Sequence, residues 1–291
     1  MPIVQLQSEF AAALSIAPPE YTWETKPSAA GNAGKEIILT DIGRSRWWSN
    51  GTYWRPVGGR QVLAQRSNNP VTVQNTSITT AETIGPFPGG LVRAGMQLQA
   101  RLLVSHSGIT ATQRVAFFSI NGRTNGTFMQ LNAVASGGDL NTLLSGALDV
   151  RADGLSSAHR AVRQGDKTSY AIGISSQTSI SIDFSAPWSA IVELLSAEET
   201  AVNISSATWA GGIATFNTSA PHTLAVGDKT VIASVTPSGW NIPDGAIVLS
   251  VPTTTQFTVA MAADPGAYST GGTSSRISNV VSQSYVLELV G

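Results

Sequence analysis

The stretch Arg46-Trp47-Trp48-Ser49-Asn50-Gly51-Thr52-Tyr53-Trp54-Arg55-Pro56 sets an Asn-Gly pair between two short aromatic runs. Both central residues of a type I′ turn need positive φ, which Asn and Gly tolerate best, so this is a strong β-hairpin signal. A two-residue turn puts Ser49 opposite Thr52, Trp48 opposite Tyr53, Trp47 opposite Trp54 and Arg46 opposite Arg55. Successive pairs point to opposite faces, so both sides of the ribbon carry a large aromatic pair. An isolated hairpin is marginal in water, and this one has two apolar sides to cover. The cover is the rest of its own domain, a second copy of the chain or a larger assembly. Arg46 directly opposite Arg55 repels unless a carboxylate or a partner surface neutralises the pair, which tilts the reading toward assembly. Trp47, Trp48, Tyr53, Trp54 and Arg55 are therefore the expected attachment or subunit interface.

The composition bounds what this ribbon serves. The 291-residue chain is 42% hydrophobic, enough for two domains with real cores, and carries only 12% charged residues with a net charge of −1. That balance offers a polyanion no handle, so nucleic acid is not an expected partner. Cysteine is absent, which removes disulfides, thiolate chemistry and Cys-based zinc sites. Residues 1–7 lack the basic start and apolar core of a signal peptide, and no apolar run reaches membrane-span length; no leader and no membrane insertion are expected. Abundant Ser, Thr, Gly and Ala with little helical periodicity is the profile of an all-β chain with many turns.

Upstream of the hairpin, residues 8–14 form the one expected helix, with Ser8 as N-cap and Phe10, Ala13 and Leu14 on one face; Pro18-Pro19 ends it. Residues 20–34 are rich in Pro, Ala and Gly and read as an arm that orders on docking, so 1–34 is an amino-terminal arm. A short strand at 36–40 leads into the hairpin, and 35–67 is the aromatic hairpin module.

The run Tyr21-x-Trp23-x-x-x-Pro27-Ser28-Ala29-Ala30-Gly31-Asn32-Ala33-Gly34, then Ile37-x-x-Thr40-Asp41-Ile42-Gly43, then Trp48-Ser49-Asn50-Gly51-Thr52-x-Trp54-Arg55-Pro56-Val57, resembles a module recurrent in bacteriophage tail fibres and related virion appendage proteins. In that family the module lies near the amino terminus and precedes trimeric β-rich domains. The resemblance implies a homotrimer, other virion tail or collar proteins as partners, and a place on the virion after assembly in the bacterial host cytoplasm. No heptad pattern supports trimerisation independently.

From residue 68 the pattern becomes alternation. Met96, Leu98, Ala100, Leu102 and Val104 fall on one face, with Gln97, Gln99, Arg101 and Ser105 on the other; Ile180, Ile182 and Phe184 repeat it. Further strands are expected at 71–74, 77–84, 114–120, 127–132, 146–150, 169–174 and 188–195, with turns at Asn121-Gly122, Asn125-Gly126, Gly137-Gly138 and Asp153-Gly154. Many short strands with frequent turns predict a β-sandwich over 68–197, and the segment resembles the jelly-roll domains of phage tail proteins.

Residues 198–276 read as a separate unit, with turns at Gly211-Gly212, Pro237-Ser238-Gly239 and Gly271-Gly272. Its His222-x-Leu224-x-Val226-Gly227-Asp228, Val235-x-Pro237-x-Gly239-Trp240-Asn241 and Val251-Pro252-x-x-x-x-Phe257-x-Val259 spacings resemble small immunoglobulin-like β domains added to phage structural proteins. After it, Tyr285, Leu287 and Leu289 alternate in a terminal strand that must pair with something, and 191–195 is the expected neighbour. The small domain is thus expected as an insertion, with 277–291 completing the sandwich.

Catalytic chemistry is thin. His106, His159 and His222 have no second His or Glu at metal-ligand spacing, and neither a Gly-x-Ser-x-Gly elbow nor a phosphate loop occurs. Asp149-x-x-x-Asp153-Gly154 lacks the dense carboxylates of a calcium loop and reads as a turn. Glu198-Glu199 reads as solvated charge, because no opposed acid can be paired with it for glycoside hydrolysis. No catalytic residue, cofactor or metal is expected. Trp209 and Trp240 are candidates for stacking on a host cell-surface glycan. Two function classes stand: a non-enzymatic tail fibre or appendage subunit that adheres to the host or serves as a head-fibre or collar scaffold, and a tail-associated glycan-cleaving enzyme.

Overall fold

The computed structural model describes residues 17–106, 113–122, 127–133, 140–152, 155–165 and 182–291. The helix expected at 8–14, the strand expected at 169–174, residues 180–181 and the Asn125-Gly126, Gly137-Gly138 and Asp153-Gly154 turns lie outside the described residues.

Four short strands form the first sheet, in sequence order: β1 (Glu20–Tyr21), β2 (Glu36–Leu39), β3 (Ser45–Ser49) and β4 (Trp54–Pro56). β1 runs parallel to β2 and the other pairs are antiparallel. The hairpin is present, but its register differs from the expected one. Trp47 pairs with Pro56, Trp48 with Arg55 and Ser49 with Trp54, so residues 50–53 make a longer loop. The side chain of Asn50 causes this: its Oδ1 accepts N–H bonds from Thr52 at 2.9 Å and Tyr53 at 2.7 Å. Tyr53 is thereby drawn into the loop, and the second aromatic pair does not form. Trp47 (0% exposed) and Trp54 (4%) share the buried face, whereas Trp48 (38%) stands outside across from Arg55. Arg46 is not opposed to Arg55; it pairs with Glu36 on β2.

The cover for the buried face comes from the segment read as an arm. Trp23 and Ala29 are buried with Ile37, Leu39, Ile42, Trp47 and Trp54. Ser49 Oγ donates to Ala29 O at 2.8 Å, and Trp54 Nε1 to Pro27 O at 2.8 Å. Residues 17–34 are therefore wrapped on the sheet within their own chain, because that wrap supplies the apolar surface a bare hairpin lacks.

The sandwich follows with β5 (Arg60–Arg66), β6 (Val71–Val73), β7 (Thr79–Phe87), β8 (Gln97–His106), β9 (Gln113–Ile120), β10 (Thr127–Ala133), β11 (Leu140–Ala152), β12 (Leu155–Gly165) and β13 (Trp188–Leu194). After the small domain, β14 (Val202–Ala210), β15 (Ile213–Thr218), β16 (Lys229–Thr236), β17 (Ile242–Thr253), β18 (Gln256–Ala260) and β19 (Thr270–Ile277), comes β20 (Val280–Val290). One sheet has the order β10-β9-β13-β7 and the other β12-β11-β8-β20-β5, with β6 also on β20. The alternation of β8 holds: Leu98, Ala100, Leu102 and Val104 face the core, against Phe118, Ile120, Val192, Leu194, Leu287 and Leu289. Because β5 pairs with β20, the sandwich begins at about Arg60 and the hairpin module ends earlier than residue 67.

The terminal strand does not pair with 191–195. β13 lies in the four-stranded sheet between β9 and β7, while β20 lies in the other sheet between β8 and β5. Strands that flank an insertion need only be close at one end, and here they face each other across the core.

β14 to β19 close into a barrel in the order β14-β15-β18-β17-β16-β19, with a core of its own around Phe216, Trp240, Phe257 and Val259. The strands form one closed ring, where an immunoglobulin-like domain keeps two separate sheets. A two-strand neck joins barrel to sandwich. Ser278 N donates to Ala197 O at 2.8 Å and Ala197 N to Ser278 Oγ at 2.9 Å, Glu198 bridges Ile277, and Ser196 N reaches Asn75 O at 2.9 Å.

The two appendages sit at opposite ends of the sandwich strands. β20 starts beside the neck and ends at Gly291, whose N–H donates to Gly59 O at 2.8 Å, next to the small sheet. Its 11 residues span on the order of 35 Å.

Candidate functional site

A cavity of about 290 Å³ opens at the seam between small sheet and sandwich, lined by Trp23, Lys26, Ser28, Thr52, Tyr53 and Arg93 and by the backbone at Gly89-Gly90. The turn after β1 is built by Thr22 and Thr25, whose hydroxyls lie 2.8 Å apart, and by Asp41, which accepts Trp23 N–H at 3.0 and 2.9 Å. This anchors Lys26. Its Nζ donates to Trp23 O at 2.6 Å and lies 3.6 Å from the centre of the Trp23 ring, a cation–π contact.

The opposite wall is the loop after β7. Gly90 has φ +73 and its N–H donates to Phe184 O at 2.6 Å, which turns the chain; Leu91 and Val92 are buried and hold Arg93 outward. A Cβ on Gly90 would meet Arg93 Nη2 at 2.6 Å, so the glycine leaves the guanidinium its place. The Arg93 guanidinium carbon stands 5.4 Å from the centre of the Tyr53 ring. Trp23 Nε1 donates to Gly89 O at 3.0 Å and ties the two walls together.

Burial, then the charge of Arg93, lowers the pKa of Lys26 from its ordinary value, with Asp41 pulling the other way. Among the described residues no carboxylate lies within ion-pair distance of Lys26 or Arg93, in contrast to Arg46 and Arg66, which pair with Glu36 and Glu82.

Of the expected interface residues, Tyr53 belongs to this cavity and Trp54 lines it from below. Trp47 is sealed in the core, edge-on to Trp23 at 5.7 Å, with Nε1 donating to Ser45 Oγ at 2.7 Å. Only Trp48 and, in part, Arg55 face outward from the sheet. Lys26 and Arg93 were missed, because they lie far apart in sequence and belong to no pattern.

Of the two expected glycan contacts, Trp240 is corrected. Trp240 is 1% exposed and packs edge-on to Phe216 at 5.6 Å, so it is barrel core and has no face for a sugar ring. Trp209 is half-buried against the same core, with Nε1 donating to Met261 O at 2.7 Å. Glu199 is not merely solvated charge: its Oε1 and Asp228 Oδ2 lie 3.3 and 3.4 Å from Arg276 Nε at the barrel side of the neck. His222 accepts the Leu224 N–H at Nδ1 and packs edge-on to Phe257. Asp149 accepts from Gln97 Nε2 at 2.6 Å. Among the described residues no three His, Asp or Glu side chains are grouped to hold a metal ion.

Compared with known proteins, the chain matches no family model, no curated protein and no solved structure.

Proposed function

We propose that the chain is a non-enzymatic structural subunit of a bacteriophage virion, a tail fibre or appendage protein. It fastens to the particle by its amino-terminal module and presents a jelly-roll-like sandwich and the small barrel to the bacterial surface, as a homotrimer. The observation that carries this reading is the two-ended build: the small sheet at one end of the sandwich strands, the barrel on its neck at the other. A molecule that must hold on at one pole and reach out at the other needs that arrangement, and a rigid sandwich between them keeps the poles apart. The module resemblance supports the same assignment of poles.

Cross-linking of purified particles tests the proposal. Lys35, exposed on the small sheet, is expected to cross-link to other virion proteins, while Lys229 of the barrel is not. Particles free of the chain, or cross-links made through Lys229 alone, overturn it. Sedimentation equilibrium of the full chain is expected to give three times the 30.3 kDa chain mass.

A further inference from the structure

We infer that the cavity between Lys26 and Arg93 is a socket for a carboxylate of a partner polypeptide, an acidic side chain or a chain end, at the pole where the subunit is fastened. Two cations face one polar cavity, and among the described residues no carboxylate lies within ion-pair distance of either, Asp41 acting on Lys26 only from further off. Such a pair is stable in isolation only while water solvates it, and it gains most from an anion that bridges both. The lining offers ammonium, guanidinium and hydroxyl groups, and no side-chain carboxylate or amide. That donor-rich set suits a small anion.

A sugar ring fits less well. Sugar sites use an open aromatic face and side-chain acceptors for the ring hydroxyls. Here Lys26 covers Trp23, Arg93 covers Tyr53, and Trp54 is 4% exposed. A carboxylate on a flexible stem needs neither, and two parallel N–H bonds from a guanidinium are its best partner. Trp48 and Arg55, outward on the same sheet, extend the contact around the socket. The lowered pKa of Lys26 fits a group waiting for a counter-ion.

The inference rests on the attachment reading for its partner, and the experiment separates the two. Acylation of each lysine in the full chain is followed by mass spectrometry, with Lys35 and Lys229 as internal controls. The probes are acetyl-Gly-Glu-Gly-Glu-Gly-amide, its Gln counterpart, glucuronate and inorganic phosphate. The Glu peptide at millimolar concentration is expected to slow acylation of Lys26 about threefold, the Gln peptide not at all, and Arg93→Gln to abolish the protection without changing the control rates. Lys26 is also expected to be protected in intact particles. Protection by glucuronate but not by the Glu peptide would mean a sugar-acid site and overturn the inference. Equal protection by phosphate would mark an adventitious ion only and overturn it as well. If the Glu peptide protects and the chain is missing from particles, the carboxylate socket stands and the virion reading falls.

Discussion

At the residue scale, one side chain decides how the aromatic hairpin turns. Asn50 captures two backbone N–H groups and moves the register, while the cover supplied by Trp23 and Ala29 decides that Trp47 goes inside and Trp48 outside. Replacing Trp47 with Ala is expected to cost about 3–5 kcal/mol, the range for emptying a buried aromatic site, and Trp48→Ala about 0.5 kcal/mol or less. Urea midpoints of the two variants check this, and similar losses would mean that the chain buries both rings. The sequence made the hairpin legible but not the inward side, because the Asn-Gly signal fits several loop lengths. A second residue-scale prediction concerns Tyr285 on β20. Its hydroxyl donates to Glu82 Oε1 at 2.9 Å, and Arg66 Nε lies 3.2 Å from Glu82 Oε2, a cluster that joins the two sheets at one edge. Burial first, then the bond to Glu82 and its charge, raises the Tyr285 pKa from 10.0 to about 12, against the pull of Arg66. The fold thus prefers the neutral phenol. Its contribution is intact below pH 10 and lost as pH climbs toward about 12. Denaturation midpoints at about pH 9 and about pH 11.5 should fall further for the natural chain than for Tyr285→Phe, which has no proton to lose. Equal falls would exclude the linkage.

At the element scale, legibility followed alternation. β8, β13 and β20 were readable because each buries one face of a central strand, and period-two patterning is the direct imprint of that burial; β9 reads instead as a short apolar run, buried on both faces from Ala116 to Ile120. β5 and β19 were not. β5 is an edge strand whose residues are mostly half-exposed, so no clean apolar face marks it. β19, Thr-Gly-Gly-Thr-Ser-Ser-Arg-Ile, fills its place with small polar residues: Ser274 and Ser275 are buried, and the Ser274 and Thr230 hydroxyls lie 2.9 Å apart. Gly271-Gly272 signalled a turn, yet both lie within the strand, where Gly272 has φ +105 and a Cβ would meet Val235 Cγ2 at 2.4 Å. The pair records a close approach of backbone to barrel core, which sequence alone cannot distinguish from a turn. Gly272→Ala is therefore expected to destabilise the barrel by about 1–3 kcal/mol, combining overpacking with an unfavourable φ. The near-ultraviolet signal of buried Trp240 gives the barrel's melting point, and no change on substitution would show that Val235 yields freely. The seam cavity was illegible for a related reason. Lys26 and Arg93 come from two loops, and only the fold of the Trp23 turn against Gly89-Gly90 makes them neighbours.

At the scale of the whole molecule, the two hydrophobic cores are separate, one running from the small sheet through the sandwich and one within the barrel. Continuity of the first core makes the small sheet and sandwich a single cooperative body, so the attachment pole is rigidly coupled to the strands that run toward the neck. Among the described residues the barrel shares with that body only the neck, where Ala197 and Ser278 exchange backbone and hydroxyl hydrogen bonds and Arg276 holds Glu199 and Asp228. Few apolar contacts cross such a junction, and cooperativity follows apolar contacts. Calorimetry of the full chain is therefore expected to resolve two transitions. The neck also brings the ends of the insertion together: Glu198 bridges Ile277 directly, so replacing residues 199–276 with a short Gly-Ser turn asks the sandwich for no new geometry. The shortened chain should keep the sandwich transition within about 3 °C of its position in the full chain and lose the other, because a change below about 1 kcal/mol moves a domain of this size by only a few degrees. A shortened chain that fails to fold, or a single transition in the full chain, would mean that the barrel is part of the sandwich's folding unit. An outboard domain that the body does not need for stability is free to vary in what it touches, and that independence is what a presenting pole requires.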